Sequence, residues 1–64
     1  MRPAQVDIDL YRLELQANTY LHSNRIPQAI EALTEAIEIA RDNDRPIRAA
    51  AMHALVLEIR SKHE

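Results

Sequence analysis

Cysteine, glycine, tryptophan and phenylalanine are all missing from the 64 residues of this chain. Without cysteine there is neither a disulfide nor a thiolate zinc site, which removes two common staples of very small domains and fits a reducing, cytoplasmic setting. Without glycine there is no loop of the kind that cradles nucleotide phosphates. Two tyrosines are the only aromatics, so the core must be aliphatic. No apolar run approaches the roughly eighteen residues of a membrane span, or the flanked apolar core of a secretory leader. Strand signals are absent as well.

Charge of one sign is also scarce in any one place. The net charge is −2, and it divides as −1 over residues 1–23, −2 over 24–43 and +1 over 44–64. Affinity for nucleic acid comes largely from phosphate neutralisation by a concentrated basic face. No such face is apparent. The nearest approach is Arg41, Arg45 and Arg48, interrupted by Asp42 and Asp44.

What the chain does have is helical periodicity in three segments, separated by polar breaks at residues 23–25 and 42–45. In the first, Val6, Leu10, Leu13, Ala17 and Tyr20 step by 4, 3, 4 and 3, the seam of a helix packed on another. Pro3 suits the first turn, with Asp7 or Asp9 as alternative caps. In the second, Ile26, Ile30, Leu33, Ile37 and Ala40 repeat the seam. Asn24 is the expected cap there, and Pro27 falls in the first turn. A row of Ala29, Ala32, Ala36 and Ala40 shortens the side chains, so a neighbour could approach closely and this helix should be central. The third opens with Asp44 as expected cap and Pro46 in its first turn. These signals predict an all-α fold, a helical hairpin plus a third helix, over about 4–22, 25–42 and 45–61 in a single small domain. Fusion of two segments into one long helix is disfavoured by Pro27 and Pro46.

The third segment is apolar almost all round. Ten of the thirteen residues from Ile47 to Ile59 are apolar. Ile47, Ala50, Ala51, Ala54 and Leu57 form one face and Met52, Leu55, Val56 and Ile59 another, more than two neighbouring helices can cover. Helix 1 has a second apolar face as well, at Ile8, Tyr11 and Leu15. A chain this short has a small core, which rarely supplies more than about 3–5 kcal/mol, and association is the staple left to it. The expectation is therefore a homo-oligomer, a dimer or higher, assembled through Ile8, Tyr11 and Leu15 with Met52, His53, Leu55, Val56 and Ile59. Buried there, a neutral His53 would make association weaken below about pH 6.

Residues 13–46 resemble a tetratricopeptide (TPR) helical hairpin: Ala17 and Tyr20 on the first helix, a short Asn24-Arg25 turn, then Ala29, Leu33 and Ala36 on the second. The pattern departs from that family at Leu13, where it prefers Trp, at Gln16, where it prefers an aliphatic residue, and at Arg41, where it usually has Pro. The resemblance implies a binding scaffold without catalysis, whose faces are covered by neighbours. In size and helical character the whole chain also resembles the short accessory proteins of temperate lambdoid phage early regions. That likeness implies a protein that binds and redirects host or phage regulators.

Catalytic and metal-binding patterns are weak. His22, His53 and His63 lie on different segments, with no His pair at i, i+4 and no His-Glu-x-x-His element. Ser23, Ser61, Thr19 and Thr34 sit in no nucleophile elbow. No cofactor, metal or catalytic residue is expected. Glu31, Glu35, Glu38 and Asp42 form an acidic stripe opposite the seam of helix 2, read as a solvated face or, more sharply, as a docking surface for a basic partner. The expected function is a non-enzymatic protein–protein interaction module, regulatory or adaptor in kind. The alternatives are a small DNA-binding regulator using Arg41, Arg45, Arg48, Arg60 and Lys62, and a structural subunit with open-ended association.

Overall fold

The structure, a computed structural model, describes residues 3–63. It contains three helices and, among the described residues, no strand: α1 (Pro3–His22), α2 (Ile26–Asp42) and α3 (Pro46–Lys62). These boundaries match the expected ones to within a residue. The connections do not work as expected, however. Asn24 and Asp44 both have φ of 58°. This left-handed region is normally glycine's, and asparagine and aspartate are the residues that tolerate it next best.

With no glycine in the chain, Asn24 and Asp44 close the preceding helix; they do not cap the following one. The N–H of Asn24 donates to the Leu21 carbonyl at 3.1 Å and that of Arg25 to the Tyr20 carbonyl at 2.8 Å. Those are the two bonds of a Schellman ending, which satisfy carbonyls left over by the last turn. Twenty residues later the N–H of Arg45 reaches the Ala40 carbonyl at 2.7 Å. The Asn43 side chain adds a bond from Nδ2 to the Ile39 carbonyl at 2.8 Å. The residues at the N-caps of α2 and α3 are Arg25 and Arg45, and neither makes a side-chain capping bond. Proline in each first turn leaves one donor fewer to satisfy there. Asp7 and Asp9 lie within α1, whose helix already begins at Pro3.

Helix α2 is the centre of the molecule. Both α1 and α3 pack on it, and no described Cα of α1 lies within 8 Å of one in α3. In cross-section the three helices make an open V with α2 at its vertex. The alanine row of α2 is wholly buried at Ala29, Ala32, Ala36 and Ala40. Ala32 shares a crevice with Gln16 and Tyr20, and Ile39 shares one with Leu13, so this flank faces α1. Ile26 and Ile30 lie beside His63 at the end of α3. Ala32 and Ile39 thus face α1, Ile26 and Ile30 lie towards the end of α3, and the buried alanine row keeps side chains short where the helices pack.

Six of the thirteen buried apolar residues are alanines. The larger ones are Val6 and Leu10 from α1, Leu33 and Ile37 from α2, and Met52, Val56 and Ile59 from α3. No charged or polar side chain is buried among the described residues.

Two measurements check this account. Asp44→Gly should raise the unfolding free energy by about 0.5–1 kcal/mol, whereas Asp44→Val should lower it by about 1–2 kcal/mol. Indistinguishable urea midpoints for the two variants would mean that the left-handed ending is not required. Leu33→Ala, which empties the centre of the core, should cost about 2–5 kcal/mol and leave the chain mostly unfolded at ambient temperature. A loss well under about 1 kcal/mol would mean that Leu33 is not packed as described.

Candidate functional site

Because α1 and α3 diverge from α2, a groove runs between them. Its floor is Ala17, Leu33 and Met52, and its walls are Leu21 and Asn18 on α1 and Ala51 and Leu55 on α3. The groove encloses about 330 Å³. Glu14 stands at its edge, where its Oε1 accepts a hydrogen bond from Nη2 of Arg48 at 2.7 Å. A second link joins Nε of Arg45 to Oδ1 of Asp7 at 3.3 Å. These two ion pairs are the described polar links between α1 and the start of α3. Both are substantially exposed, and exposed pairs contribute only about 0–1 kcal/mol each, so they orient the helices more than they hold them. Arg45 also donates from Nη1 to the Asn43 carbonyl at 3.1 Å, bracing the end of α2.

Large apolar side chains lie in water on both sides of this groove. On α1 they are Ile8, Tyr11 and Leu15; on α3 they are Ile47, Leu55 and Leu57. Ile47 is 84% exposed and Tyr11 61%. On a 100° helical wheel Tyr11 and Leu15 follow directly from Glu14 at the groove edge, and Ala51 and Ile47 follow from Leu55. Leu57 lies on the other flank of α3, with Ala50 and His53. As many large apolar residues are exposed on α1 and α3 as these two helices and α2 bury between Leu10 and Ile59.

The expected interface therefore needs correction. Met52, Val56 and Ile59 are only 3–5% exposed; they form the face by which α3 packs on α2 within one chain. They leave no surface for a partner. The face of α3 left uncovered is the other one, at Ile47 and Leu57, together with Leu55. His53 is exposed beside Arg41 and Pro46 and is not enclosed by apolar groups. Ile8, Tyr11, Leu15 and Leu55 are accessible as the periodicity indicated.

The remaining candidates are spread out. Glu31, Glu35, Glu38 and Asp42 are all exposed, on the side of α2 turned away from Leu33. His22, His53 and His63 are exposed and on different elements. Among the described residues no three His, Asp or Glu side chains are grouped as metal ligands. Of the five cations considered for DNA, Arg45, Arg48 and Lys62 each meet a carboxylate, Lys62 that of Glu58 at 3.1 Å. No described helix is long and apolar enough to cross a membrane.

Two features were missed from the sequence. The ion pairs join positions 38 and 34 residues apart, and the only signal for them was acids at Asp7 and Glu14 on one helix and arginines at Arg45 and Arg48 near the start of another. The groove follows from α1 and α3 sharing α2 without touching, which no local pattern encodes. Comparison with known proteins finds no family model, no curated protein and no solved structure that matches this chain.

Proposed function

We propose that the chain is a non-enzymatic protein–protein interaction module, regulatory or adaptor in kind, that self-associates through apolar surface its own three helices leave in water. One observation carries the reading: Ile8, Tyr11, Leu15, Ile47, Leu55 and Leu57 are all exposed on a 64-residue chain whose core is nearly half alanine. Single exposed apolar residues are ordinary, but five of these six, all except Leu57, flank a concave groove, and large exposed apolar surface beside a groove is a usual mark of an interaction site.

Energetics support the same reading. Alanine adds little to burial, whereas a Leu, Ile or Val is worth about 1.5–3 kcal/mol when fully enclosed. Enclosing the exposed set would therefore add more than a small core has to spare. The resemblance to a TPR hairpin agrees, since a single hairpin of that kind needs neighbours to cover its faces. The likeness to phage accessory proteins makes host or phage regulators the natural further partners. A DNA-binding role draws less support, because the arginines it would use beside α3 are engaged by Asp7 and Glu14.

Light scattering over a dilution series tests the proposal. The expected mass exceeds the 7.4 kDa of one chain at high concentration and falls towards it on dilution. A fully helical particle of 7.4 kDa throughout would contradict self-association.

A further inference from the structure

We infer that the groove between α1 and α3 seats a second copy of this chain, related by a two-fold axis, with Tyr11 and Leu15 of each chain entering the groove beside Leu55 of the other. The inference rests on the self-association proposed above and names the face and the symmetry.

Three observations lead there. The first is shape. A concave apolar groove and a raised apolar ridge, Ile8-Tyr11-Leu15, adjoin one another on the same side of the molecule. An isologous dimer pairs one self-complementary patch with itself, and a groove beside a ridge supplies such a patch. The groove volume of about 330 Å³ leaves room for more than one large side chain.

The second observation is area. The molecule is a flat slab, its Cα atoms spanning 36 × 19 × 12 Å. Since α1 and α3 are splayed about α2, its broad face is the one carrying the groove. The chain exposes 4590 Å² in all, so the roughly 800 Å² per partner of a standard interface is a share that one broad face can supply. Five of the six exposed large apolar residues lie on it, and Leu57 does not.

The third is charge. Two identical faces repel if they carry uncompensated charge of one sign. Beside this groove Asp7 is matched by Arg45 and Glu14 by Arg48, both within one chain. A strongly acidic or basic partner finds nothing to complement there. A second copy brings the same internally paired residues to this face.

The test compares matched surface substitutions. Leu15 and Leu57 are almost equally exposed, at 48% and 51%, so an arginine at either should leave the monomer folded. Sedimentation equilibrium should show a dimer for the parent chain and for Leu57→Arg. For Leu15→Arg and Leu55→Arg the dissociation constant should rise at least about tenfold, as expected for central interface positions. Circular dichroism confirms that each variant is helical.

A paired variant gives an independent readout. Leu15→Cys with Leu55→Cys cannot close a disulfide within one chain, because α1 and α3 stay more than 8 Å apart at every described Cα and the bond needs less than about 7 Å. Mild oxidation should therefore yield a covalent dimer, and each single-cysteine variant should yield much less. A parent chain that is monomeric throughout would overturn self-association itself. A dimer disrupted by Leu57→Arg but not by Leu15→Arg or Leu55→Arg would overturn the inferred face alone. Masses that grow without limit would overturn the closed two-fold.

Discussion

Everything in this molecule depends on α2 being covered along two flanks at once. Its buried alanine row keeps side chains short along the packing surface, with Ala32 and Ile39 towards α1 and Ile26 and Ile30 beside the end of α3. Close approach maximises dispersion contacts along the helix pair. It also restricts what the core can contain. An interface floored by alanine encloses little apolar area per residue, so the large side chains that a small domain needs are only partly used inside it. Ile8, Tyr11, Leu15, Ile47, Leu55 and Leu57 are the remainder.

The same arrangement creates the groove. Because α1 and α3 both take their position from α2, they stand apart from one another, and a groove floored by the buried Leu33 and Met52 runs between them. The two ion pairs at the start of α3 are too exposed to add much stability, but they neutralise the carboxylates beside the apolar surface. Neutral, concave and flanked by large apolar groups, the groove is suited to burial against another apolar surface.

Most of the architecture could be read in the amino-acid order. Val6-Leu10-Leu13-Ala17 and Ile26-Ile30-Leu33-Ile37 carry clear helical spacing, and Pro27 and Pro46 mark the first turns of α2 and α3. Asn24 and Asp44 were legible as breaks but not as left-handed endings, since the same side chains serve equally well as N-caps. The contacting face of α3 was not legible either. Apolar residues surround that helix, so a count of apolar positions does not choose Met52-Val56-Ile59 over Ile47-Ala54-Leu57. Tyr11 and Leu15 were identifiable as surplus because their helix already had a better-spaced seam, whereas the groove beside them required the packing of three elements.

The most direct measurement is the thermal unfolding midpoint as a function of protein concentration, followed by circular dichroism. If the exposed apolar set is completed by association, folding and assembly are linked by mass action and the midpoint rises steadily with concentration. A midpoint that stays constant across a thousandfold range, with a single cooperative transition, would show that the three helices are sufficient alone and would contradict this account.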